Sequence, residues 1–118
     1  MAQVNPYFNF NGNCREAMNF YKDCIGGELK IMSVSDTPMA EQMPDMKDNV
    51  MHSQLEKNGS IILMASDMMR GKPNDGNTVS IMINCESEEE INNVYKKLSE
   101  GGEILDELKL QFWGDIFG

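Results

Sequence analysis

The chain has 118 residues, 41% hydrophobic and 25% charged, enough for one domain with a proper core. Ten basic residues stand against nineteen acidic ones, a net charge of −9, and no Lys/Arg cluster is present to replace phosphate counterions, so no nucleic-acid partner is expected. The same sign disfavours an anionic membrane surface, no apolar run approaches the ~20 residues of a span, and the opening MAQVNPYFNF lacks the pattern of a leader, so a soluble cytoplasmic protein is expected.

Tyr7 to Phe10 reads as a short strand. Asn13 followed by Glu16 reads as a capping box, and the next apolar positions, Ala17, Phe20, Tyr21 and Cys24, share one helix face. Gly26-Gly27 supplies a left-handed stop, and Leu29 to Ser35 reads as the next strand. Asp36 to Asp48 is a loop holding Pro38 and Pro44, with Met39, Met43 and Met46 interleaved; the methionines are read as core filler. Val50 to Lys57 and Ser60 to Ala65 are two strands joined at Asn58-Gly59, a strong hairpin signal. Asp67 closes the fourth strand and is expected to cap a turn. A loop to Asn77 follows, with Gly71, Pro73 and Gly76.

The pattern then repeats at an offset of 74 residues. Thr78 to Asn84 is strand-like, Ser87 and Glu90 take the places of Asn13 and Glu16, and Ile91, Val94, Tyr95 and Leu98 take those of Ala17, Phe20, Tyr21 and Cys24. Glu88-Glu89-Glu90 suits the first turn of a helix, and after one extra residue Gly101-Gly102-Glu103 repeats Gly26-Gly27-Glu28. After Glu103 there is room for strands near Ile104 to Leu108 and Gln111 to Phe117, and none for a fourth. The expected fold is α+β: one domain of two βαβββ modules, about residues 4–67 and 77–118, the second lacking its last strand.

The run Tyr7-Phe8-Asn9-Phe10-Asn11-Gly12-Asn13-Cys14-Arg15-Glu16-Ala17, with Phe20-Tyr21, resembles the opening of PhnB-like proteins. So do Val50-Met51-His52, Leu63-Met64-Ala65-Ser66-Asp67, Asn84-Cys85 and Phe112-Trp113-Gly114. These proteins form a branch of the vicinal oxygen chelate superfamily, with glyoxalase I, bleomycin-resistance proteins and extradiol dioxygenases. The resemblance implies strands curved around a cleft, often completed in a homodimer. Members of this branch often carry methyltransferase names, yet the chain shows no glycine-rich cofactor turn of the doubly wound kind.

Metal-dependent members of the superfamily take His or Glu ligands from the first and last strand of each module. The matching stretches here hold Asn5, Pro6 and Tyr7, then Leu63 and Met64, then Val79, Ser80 and Ile81. No imidazole, carboxylate or thiolate stands among them, so no metal or other cofactor is expected. Cys14, Cys24 and Cys85 form an odd set without a CxxC pair and are read as reduced thiols. Cys14 opens the first helix, where the dipole can activate a thiol, but no base adjoins it; Cys24 belongs to the core.

His52 is the only histidine, and alternation puts it on one face with Val50, Gln54 and Glu56. Tyr7 and Asn9 share the face opposite Phe8 and Phe10. Trp113 is either an aromatic wall or a filler between modules. The candidate ligand-binding residues are therefore Tyr7, Asn9, His52, Gln54 and Trp113, with no catalytic residue assigned. The expected function is metal-free binding of a small organic molecule in the cleft; a separate reading is a sequestering protein, like the drug-binding resistance members, that binds stoichiometrically without turnover. The alternative is a divalent-metal-dependent lyase, isomerase or dioxygenase drawing on His52, Glu56 or a partner chain.

Overall fold

A computed structural model describes residues 2–118. Strand β1 (Tyr7–Phe10) leads into helix α1 (Cys14–Ile25) and strand β2 (Glu28–Ser33). A 3-10 turn (Val34–Asp36), the short helix α2 (Met39–Gln42) and a second 3-10 turn (Pro44–Met46) carry the chain to β3 (Val50–Lys57) and β4 (Ser60–Asp67). After a long connection come α3 (Glu88–Ser99) and a ribbon of β5 (Lys109–Leu110) and β6 (Ile116–Phe117). No helix among the described residues is long and apolar enough to cross a membrane.

The first βαβββ unit forms a four-stranded sheet in the order β1-β4-β3-β2. The β3–β4 hairpin turns at Asn58 and Gly59, both at positive φ (55° and 80°), as a two-residue turn matched to strand twist requires. β1 pairs only with β4, in parallel, placing Tyr7 beside Met64 and Asn9 beside Ser66. Two bulges set which side chains face where. In β3, Met51 is skipped, because Met32 pairs with His52 while Ser33 pairs with Val50. In β4, Ile62 is skipped, because Leu55 pairs with Leu63 while Glu56 pairs with Ile61. An extra residue reverses the facing of everything beyond it. Val50 therefore does not share a face with His52, as unbroken alternation would have it. It is fully buried on the other side, in a core with Cys14, Met18, Leu55, Leu63 and Ala65.

That core lies between the sheet and α1. Cys14 and Met18 are its fully buried helix contributions, so the helix is rotated from the expected Ala17/Phe20 line toward Met18. Cys24 is also buried and lies with Ile25 beside Asn93 and Val94 of α3. Lys97 of α3 reaches the carbonyl of Asp23 at 3.5 Å. At the end of α1 the Lys57 ammonium donates to the Ile25 carbonyl (2.7 Å), answering an orphan acceptor of the helix terminus. Gly27 (φ 105°) then lets the chain pass over β3, since a Cβ there would collide with the Glu56 carbonyl.

The start of α1 is capped differently from the sequence reading. The Asn13 side chain makes no cap bond to the helix; it accepts from the Asn11 N–H instead. The capping group is Asp67, at the end of β4. Its Oδ1 accepts from the Gly12 and Cys14 N–H groups (2.9 and 3.0 Å), and its Oδ2 from the Val50 N–H (2.8 Å). Asp67 is 3% exposed, so these bonds satisfy a buried carboxylate.

The second unit is partial and has no fourth strand. Thr78–Asn84 is not a strand, because no neighbour pairs with it; Val79 and Met82 are 79% and 70% exposed. The expected 104–108 strand is replaced by the two-residue β5, and the 111–117 strand shrinks to β6. The second helix is capped as its sequence predicts: Ser87 Oγ accepts from the Glu90 N–H (3.0 Å), and the Glu90 carboxylate reaches back to the Glu86 N–H (2.9 Å). Yet α3 contains no buried residue. Its apolar face repeats that of α1 without a sheet beneath it.

Two substitutions measure this asymmetry by urea denaturation. Met18→Ala is expected to cost about 2–5 kcal/mol, while trimming the α3 stripe with Val94→Ala costs under ~1 kcal/mol because little is buried there. Asp67→Ala leaves three backbone donors without their acceptor and is expected to cost at least ~3 kcal/mol, with Asp67→Asn falling between it and the natural chain.

Candidate functional site

The side of the sheet away from α1 carries no covering layer among the described residues. Tyr7 (45% exposed) and Asn9 from β1, Met64 and Ser66 from β4, His52, Gln54 and Glu56 from β3, and Lys30 and Met32 from β2 share it. Four of the five expected residues, Tyr7, Asn9, His52 and Gln54, are thus on one surface. Trp113 is elsewhere, in the turn between β5 and β6. Its ring neighbours are Phe112 (4.8 Å between centroids) and Phe117 (6.3 Å).

The polar groups of this face are connected. Tyr7 Oη donates to Ser66 Oγ (3.0 Å), and its ring lies 6.1 Å from the His52 ring. His52 Nε2 is 3.4 Å from Gln54 Oε1, Gln54 Nε2 donates to Glu56 Oε1 (3.3 Å), and Lys30 Nζ pairs with Glu56 Oε2 (2.9 Å). The hydrogen bond that Lys30 donates to the Glu56 carboxylate raises the Lys30 pKa, keeping the ammonium charged. Sequence reading did not include Lys30, Met32, Met64 or Ser66. Counting outward from the Asn58-Gly59 turn would have found Lys30 only with the β2 register, and would have misplaced Met64 and Ser66 by one because of the Ile62 bulge.

Cys14 is not an activated thiol. Burial pushes its pKa up, and the Asp67 carboxylate that neutralises the helix end raises it further; the Ser53 hydroxyl, 3.6 Å from the sulfur, opposes them only in part. Burial also raises the pKa values of Cys24 and Cys85. All three cysteines are free.

The metal ligand set of the superfamily does not fit this chain. Of the first-strand candidates Asn5, Pro6 and Tyr7 and the fourth-strand candidates Leu63 and Met64, Tyr7 and Met64 stand side by side, a phenol and a thioether. Among the described residues no three His, Cys, Asp or Glu side chains group closely enough to hold an ion. Nor does the helix start after β1 offer an anion cradle, because Asp67 already occupies its N–H groups.

Residues 2–118 match the family described as 3-demethylubiquinone-9 3-methyltransferase. The chain belongs to that family, the PhnB-like proteins. Protein PA1353 of Pseudomonas aeruginosa superposes with a TM-score of 0.84 at 36% identity, over all of this chain and 87% of that one. A PhnB protein of Bacillus cereus gives 0.75 at 30% identity, over 99% of this chain and 88% of its own. Protein YjdN of Escherichia coli K12 is 28% identical over 98% of this chain and 84% of its length. These likenesses establish the PhnB-like α+β fold and no specific reaction.

A raised pKa keeps Cys14 neutral and stabilises the fold fully below the thiol's unfolded pKa; that contribution is lost as pH rises toward the folded one. Iodoacetamide at mildly alkaline pH is expected to label Cys14 only at the rate of unfolding. Labelling of the native chain as fast as free cysteine would show that the burial is wrong.

Proposed function

We propose that this PhnB-like chain binds a small organic molecule on the open face of its four-stranded sheet, without a metal. The observation that carries the reading is the convergence of Tyr7, Asn9, His52 and Gln54 on one uncovered surface floored by Met32 and Met64. A few directed polar groups on an apolar floor are what orient a small ligand. The metal-dependent lyase, isomerase or dioxygenase alternative draws no support from the Tyr7 and Met64 positions.

The working form of the proposal is a homodimer. The radius of gyration is 16.5 Å, against about 13.5 Å for a compact chain of this length. The accessible surface is 8956 Å², against about 6,500 Å² for a compact monomer of 13.3 kDa. The surplus of about 2,500 Å² exceeds the ~800 Å² that each partner buries in an ordinary stable interface. Exposed Val79, Met82, Phe112 and Trp113 supply apolar surface for it. A cytoplasmic location is part of the same reading, suited by three free thiols, as is the absence of nucleic-acid and membrane partners, suited by the charge of −9.

Two measurements test this. A fragment screen followed by calorimetry is expected to yield a ligand whose affinity falls about tenfold, ~1.4 kcal/mol, in both Tyr7→Phe and His52→Ala; full affinity in both variants would sink the open-face reading. Sedimentation equilibrium at micromolar concentration is expected to return twice the chain mass, and a monomer would count against the dimer.

A further inference from the structure

The open face contains a line of groups whose hydrogen-bond directions are fixed in series. Lys30 can only donate, and it holds Glu56 Oε2 at 2.9 Å. The Glu56 carboxylate can only accept, so the group turned toward its Oε1 at 3.3 Å must be the Gln54 amide nitrogen. That choice points the Gln54 carbonyl oxygen at His52 Nε2, 3.4 Å away. A carbonyl cannot donate, so this contact is a hydrogen bond only when His52 carries its proton on Nε2. The opposite amide orientation would set Gln54 Oε1 against the carboxylate.

We propose that Lys30, Glu56 and Gln54 are positioning residues that hold neutral His52 as its Nε2–H tautomer, presenting Nδ1 as an acceptor for a protonated amine on the ligand. His52 Nδ1 has no hydrogen-bond partner among the described residues. Beside it, Tyr7 spends its proton on Ser66, which leaves the phenol oxygen as a second acceptor. With Lys30 engaged by Glu56, this part of the face is richer in acceptors than donors. An ammonium group satisfies both acceptors, the Tyr7 ring adds a cation–π surface, and the net charge of −9 favours a cation at long range. The ligand class rests on the binding reading above; the tautomer does not.

The tautomer is read first, on ligand-free protein at alkaline pH, from long-range 1H–15N correlations of the imidazole. Nε2 is recognised by its coupling to both ring-carbon protons. In the natural chain it is expected to be the protonated nitrogen in a single dominant tautomer. In Gln54→Ala, and in Glu56→Gln, which frees the amide to turn, the two nitrogen shifts are expected to move toward each other as tautomers mix. The natural chain needs no variant to fold, so Nδ1–H there overturns the proposal outright. Unchanged shifts in both variants, with the amide fingerprint intact, overturn the relay. Benzylamine and benzoate then test the ligand class: benzylamine is expected to shift the His52 signals and benzoate to leave them in place. No shift with benzylamine, or an equal shift with benzoate, overturns the amine assignment while leaving the tautomer result standing.

Discussion

A single carboxylate holds the first module together. Asp67 ends β4, yet its oxygens bind the turn before α1, the first residue of α1 and the first residue of β3. The start of α1, the start of β3 and the end of β4, far apart in sequence, are thereby fixed to one point. The parallel β1–β4 pairing, the seating of Cys14 and Met18 on the sheet, and the facing of β3 all follow from where those segments begin. A buried charge is tolerated because every bond it makes is to an N–H that would otherwise be an orphan. The same charge explains why the helix start neither activates Cys14 nor serves as an anion site.

The sequence was most readable where local chemistry decides structure. The Asn58-Gly59 turn and the Ser87 cap depend on neighbours along the chain, and both are present. It was least readable where a distant partner competes. Asn13 looks like a cap, and Asp67 displaces it because a buried carboxylate reaches two N–H groups at once. Val50 looks like a neighbour of His52, and the Met51 bulge turns it into core. Bulges of this kind leave little mark in composition, since Met51 and Ile62 are ordinary strand residues. The candidate face was therefore legible residue by residue along each strand, but not across strands.

The two helices show what a pattern alone achieves. Both carry the same apolar spacing, although α1 stops at Gly26 at positive φ and α3 at extended Glu100. On α1 a neighbouring line, Cys14 and Met18, meets the sheet and becomes core, with Tyr21 packed against it; on α3 no residue is buried. Amphipathicity is a demand for a partner rather than a guarantee of one. The unpaired Thr78–Asn84 run makes the same demand through its backbone, since its counterpart β1 is held only by β4.

The contact between Lys97 and Asp23 has a meaning of its own. The two positions differ by 74, the offset that aligns the two repeats, so each is the other's counterpart. A residue meets its own counterpart only close to a twofold axis, as in the self-complementary contact of a symmetric pair. Here the contact joins α1 to α3 at matching positions of the repeat. The two helices thus meet as like elements, counterpart against counterpart, inside a single polypeptide.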